Sequence, residues 1–148
     1  MKYKYLIVLF CSLLLSCNKT LYSVPIGINI QNTHQITADT NQLKTDWNKI
    51  LIDNKLKGEL SGFKIKTSID ERTEKKYYYL ISISKDESLK MATKLIKHNN
   101  KFFLNTSELH YVICHGCKSS YPEIYNNDWD CETNDLFNCK KIEIVITK

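Results

Sequence analysis

The 148-residue chain carries 21 basic and 16 acidic side chains, a formal charge of +5, with 43% hydrophobic residues, six cysteines, four glycines and two prolines. That is one domain's worth of chain. The lysines are scattered rather than grouped, which argues against a nucleic-acid partner, and so few glycines leave no phosphate-cradling loop.

The chain opens MKYKYLIVLFCSLLLSCNKT. Lys2 and Lys4 give a positive start, and Leu6 to Leu15 is apolar except for Ser12. Crossing a bilayer takes roughly twenty apolar residues, so this run is too short for a membrane span and suits the core of an export signal. Leu14-Leu15-Ser16-Cys17 then resembles the bacterial lipobox, Leu-x-(Ala/Ser/Gly)-Cys, at every position. The resemblance implies a signal peptide over 1–16 that is cut off. It also implies that Cys17 becomes the first mature residue and carries a thioether-linked diacylglycerol and an N-acyl chain. Two or more acyl chains give stable anchoring where one does not. Cys11 lacks a small residue before it and leaves with the signal. In lipoproteins of this kind an Asp after the cysteine goes with inner-membrane retention, and an acidic cluster goes with display at the cell surface. Asn18-Lys19-Thr20-Leu21 has neither, so the expected location is the outer membrane, facing the periplasm. The expected layout is a lipidated tether over 17–23 and one β-rich domain over 24–148.

In chain order, Ile26, Ile28 and Ile30 alternate and predict a short strand behind Pro25, while Gln31 to Asn41 reads as a polar loop. Leu43, Trp47, Ile50 and Leu51 recur at helical spacing, which predicts a helix over 43–57, capped by Asp39, Thr40 or Asn41 and stopped at Gly58. Phe63 to Ile69 and Tyr77 to Ser84 alternate around a charged turn and predict a hairpin. Residues 86–97 fit both periods; the strand is preferred, because His98-Asn99-Asn100-Lys101 before Phe102-Phe103-Leu104 makes a hairpin turn. Leu109–Cys114 and Ile142–Ile146 are also strand-like. The expected fold is α+β, with one N-terminal helix packed on a mainly antiparallel sheet and a disulfide-stapled C-terminal loop.

Cys114, Cys117, Cys131 and Cys139 remain once Cys17 is consumed by lipid. An even number in an exported chain points first to two structural disulfides across the polar stretch Lys118–Asn138. If the flanking strands pair, Cys114 faces Cys139 and Cys117 bridges to Cys131, although four cysteines allow three pairings. A zinc site is the next reading. Cys114–Cys117 has knuckle spacing, but Cys131–Cys139 does not. A thiol-redox Cys-x-x-Cys wants a helix after it, and Lys118 to Pro122 is not helical in pattern. Covalent haem needs a histidine where Lys118 stands. The four histidines read as surface or turn residues and form no hydrolase triad. Trp129, in Asp128-Trp129-Asp130-Cys131, either plugs against a bridge or contacts a partner.

Ile81 to Lys85, Met91 to Leu95, Cys114-x-x-Cys117, Asp128 to Cys131 and Cys139-Lys140-Lys141 together resemble a group of small bacterial lipoproteins to which no activity is attached. The resemblance covers under half the chain. The expected function is a lipid-anchored, non-enzymatic binding or structural module of the envelope. It would touch membrane lipid through Cys17 and an unidentified envelope protein or ligand, with no metal and no cofactor beyond the lipid. The alternatives are a periplasmic thiol-redox or zinc protein using Cys114 and Cys117, and a periplasmic inhibitor or immunity lipoprotein.

Overall fold

The computed structural model describes residues 23–117, 120–131 and 139–147. The expected signal peptide and Cys17 lie outside them, as do Leu136 and Phe137. The described residues form ten strands and one helix. β1 is Ser23–Ile30, β2 Thr33–Ile36, α1 Thr40–Asp53, β3 Leu60–Ile69, β4 Lys76–Ser84 and β5 Leu89–His98. β6 is Lys101–Asn105, β7 Glu108–His115, β8 Pro122–Tyr125, β9 Asp128–Cys131 and β10 Lys140–Thr147.

All pairings are antiparallel, and β5 is the spine. One side of β5 pairs β4 from Lys90 to Leu95, and β4 pairs β3. The other side forks: Leu89 to Thr93 pair β7, and Ile96 to His98 pair β6. The first branch continues to β10 and the second to β1 and β2. The second branch curls until β2 meets β3, where His34 Nε2 lies 2.7 Å from Thr67 Oγ1. The result is a nearly closed, barrel-like sheet.

This corrects the α+β expectation. A helix lying on a flat sheet would leave the sheet's other face to solvent. Here the curling sheet encloses the core, and Leu80, Leu89, Met91, Phe102 and Ile113 are fully buried inside it. α1 adds Leu43, Trp47 and Leu51 to a core already bounded by strands, with Trp47 edge-on to Phe63 at 5.0 Å and to Tyr111 at 5.4 Å. The helix does not make a second layer. Asp39 caps it, accepting from the N–H groups of Asn41 and Gln42. It ends at Asp53 rather than at Lys57, because the Asn54 side chain donates to the Ile50 carbonyl and Lys55 turns left-handed at φ 58°.

β2 and the β8–β9 pair stand where loops were expected, while β1 is the strand expected behind Pro25. Gln31-Asn32 and Asn126-Asn127 both take positive φ in succession, the geometry of a tight hairpin turn, and so create β1–β2 and β8–β9. The ambiguous segment is the strand β5, and Asn99 supplies the positive φ of the following turn. No helix among the described residues is long and apolar enough to cross a membrane.

Candidate functional site

The outer face of β4, β5 and β7 carries a second apolar cluster, built from Tyr77, Tyr79, Ile81, Ala92, Val112 and Cys114. Alternation puts these side chains opposite the barrel core, which explains why the central strands are buried on both faces. The β8–β9 hairpin covers this cluster with Ile124 and Trp129. Two disulfides fasten it, Cys114–Cys131 with a Cα separation of 5.7 Å and Cys117–Cys139 with 4.6 Å.

This pairing differs from Cys114–Cys139 with Cys117–Cys131. The β7 and β10 strands do pair, but in a register that sets Lys141 opposite Cys114 and Lys140 opposite His115. Cys139 therefore falls one step beyond His115, where it meets Cys117 and leaves Cys114 to Cys131. Cys114 and Cys117 are both fully buried and are joined to different partners.

Polar contacts seat the same hairpin. The Ile124 N–H donates to the Tyr77 hydroxyl at 2.9 Å. Asp70, in the β3–β4 turn, accepts from the Asn126 N–H at 3.0 Å and the Asn127 N–H at 2.8 Å, besides the Arg72 and Thr73 N–H groups of its own turn. Burial pushes its pKa up. The Asn127 N–H, the Thr73 hydroxyl and the Asn126 and Arg72 N–H groups outweigh that, and the carboxyl sits well below the usual carboxylate range. Lys90 is fully buried beneath the hairpin base. Its ammonium donates to the Cys117 carbonyl and lies 4.9 Å from the Tyr121 ring centre, and burial lowers its pKa. Lys66 approaches the same ring at 4.4 Å.

Trp129 is 4% exposed and lies edge-on to Tyr77 and Tyr79 at 6.4 and 6.0 Å. As placed, it fills the space between hairpin and sheet, while Tyr125 at the hairpin tip is the exposed aromatic, at 53%. One edge of Trp129 nevertheless borders an open groove of about 240 Å³ where the sheet forks, alongside Thr93, Lys94, Ile96, Leu109 and His110. A side-chain network runs beside it. His110 Nε2 lies 2.8 Å from Glu143 and Lys141 Nζ 2.7 Å from Glu143, and Lys141 also donates to the Trp129 carbonyl at 2.6 Å. The Lys141 ammonium, with His110 beside it, draws the Glu143 pKa down against the effect of burial. The groove is lined by apolar side chains together with the opposite charges of Lys94 and Glu108, so its chemistry is recognition of a small group or a protruding side chain. Among the described residues, no group of three or more His, Cys, Asp or Glu side chains is placed to hold a metal ion.

The four cysteines expected to form disulfides, Cys114, Cys117, Cys131 and Cys139, do so, and Trp129 packs in the same cluster. Sequence reasoning missed Asp70, in the β3–β4 turn, and Lys90, on β5. Their only sequence signals were an Asp opening a charged turn and a lysine between Leu89 and Met91. No protein family, curated protein or solved structure matches the chain.

Proposed function

We propose that the protein is a lipid-anchored envelope protein whose domain is a non-enzymatic binding module, held by Cys17 at the outer membrane and facing the periplasm. The observation that carries this reading is the pair of buried disulfides, which belong to an oxidising compartment. The lipobox-like Leu14-Leu15-Ser16-Cys17 supplies the anchor. The thiol-redox and zinc alternatives need Cys114 and Cys117 to act as a pair, and each is committed to a different, distant cysteine. The fork groove beside Trp129 is the place where such a module would meet a ligand.

The test is the intact mass of protein extracted from membranes under non-reducing conditions. The expected species begins at Cys17, carries diacylglycerol and one further acyl chain, and has lost four hydrogens to two disulfides. Retention of residues 1–16, an unmodified Cys17 or four free thiols would overturn the reading.

A further inference from the structure

Among the described residues, no other element covers the outer face formed by β5, β6 and β1. Register puts Ile96, Phe103 and Pro25 side by side across these three strands, Ile96 opposite Phe103 and Phe103 opposite Pro25, and Ile28 follows on β1 opposite Lys101. Ile96 is 38% exposed, and Ile30 extends the stripe at 47%. Ser23, Ile96, His98 and Phe103 line a shallow depression in it of about 210 Å³. Exposed Lys94 and Lys101 flank the stripe, and Glu108 lies beyond its Asn105 end. An apolar strip with lysines at its margin matches a bilayer surface, where the rings and aliphatic chains enter the headgroup layer and the lysines reach the phosphates.

The chain itself says which surface lies near. Only five residues separate Cys17 from Ser23, so the first residue of the stripe's own strand stands within ~20 Å of the lipid-bearing sulfur even when the link is fully extended. A second copy docked by two-fold symmetry would bring the lysine margins of the two faces together, which like charges oppose.

We infer that the β5–β6–β1 face is the surface on which the anchored domain rests against the membrane. This inference builds on the lipid-anchor reading. The domain then lies flat on the bilayer with this face down, and is not held away from it on a free tether.

Full-length protein carrying Ile96→Trp tests this, after extraction and mass measurement to establish that Cys17 is acylated. The protein is reconstituted in vesicles of equal parts phosphatidylcholine and phosphatidylglycerol, with and without bromine high on the acyl chains. The native Trp47 and Trp129 are buried and give a constant background. The added tryptophan should lose about half its emission to bromine, as expected for a side chain seated at the acyl boundary. The comparison is Ile52→Trp on α1, 72% exposed at the end of the molecule where Gly58 packs against Leu89, seven residues along β5 from Ile96. That emission should hardly change. Ile30→Trp, at a position 47% exposed on the same stripe, repeats the test should Ile96→Trp disturb the fold. Acylated protein in which the stripe tryptophans are no more quenched than Ile52→Trp overturns the inference and leaves the anchor standing. Emission that responds to protein-to-lipid ratio and not to bromine assigns the face to a second copy and also overturns it. An unacylated Cys17 defeats the anchor reading, and the inference with it.

Discussion

Asp70 belongs to the turn between β3 and β4, yet two of its hydrogen bonds go to the tip of the β8–β9 hairpin, 56 and 57 residues further on. A carboxylate accepting several N–H groups is stabilised in its charged form, so its pKa in the folded state lies below that of the unfolded chain. The contribution to stability is therefore complete above the unfolded value of about 4, and is lost as pH falls from there toward the folded value. Unfolding midpoints measured from neutral pH down into the acid range should show this loss, and Asp70→Asn should flatten it. The same substitution should speed hydrogen exchange at the Asn126 and Asn127 amides while leaving the amides of β5 slow. Uniform exchange across the two proteins would mean that Asp70 does not latch the hairpin. Nothing in the residues near Asp70 announces this role, because a partner more than fifty positions away leaves no local pattern.

At the scale of elements, the two disulfides divide their work. Cys131 ends β9, so the Cys114–Cys131 bond holds the covering hairpin, whereas Cys117–Cys139 ties the end of β7 to the approach to β10. Their separations of 17 and 22 residues correspond to about 3 kcal/mol each in chain-entropy terms. Replacing Cys114 and Cys131 by Ala should cost that amount and also shift Trp129 emission to the red, as the hairpin lifts from Tyr77 and Tyr79. Replacing Cys117 and Cys139 should cost a similar amount with little change in emission. Equal red shifts in both variants would refute the division. Long periodic elements were legible in the sequence: Leu43, Trp47 and Leu51 mark α1, and the alternation of Ile142, Ile144 and Ile146 marks β10. The short hairpins were not. β2 and β8 each have four residues, too few to show a period, and only their turns carried a signal.

For the whole molecule, closure is the property that distinguishes a barrel from an open sheet, and it depends on close approach at the β1–β2–β3 seam. A Cβ at Gly27 would stand 2.6 Å from Cδ1 of Ile65 and still closer to the Gln35 carbonyl oxygen. Gly27→Ala should thus cost about 1–3 kcal/mol through overpacking, read as a lower urea midpoint. An unchanged midpoint would show that the seam has slack. Residue alternation tells which side of a strand is apolar, but not whether the sheet bends round to enclose that side. The α+β expectation failed for that reason. The near-continuous apolar run from Tyr77 to Ile83 did hold a clue, since a strand buried on both faces reads that way.

The four C-terminal cysteines pair first with third and second with fourth, so the two covalent loops interlock and neither sits inside the other. A chain exported from its N-terminus delivers Cys114 and Cys117 to the oxidising side before Cys131 and Cys139. Oxidation in order of arrival would join the first two, a bond absent from the native structure. Reaching the native pattern from there takes thiol–disulfide exchange, in which a thiolate reopens the early bond and passes each cysteine to its later partner. If the protein is exported as proposed, maturation of this domain is coupled to the envelope's capacity to isomerise disulfides as well as to form them.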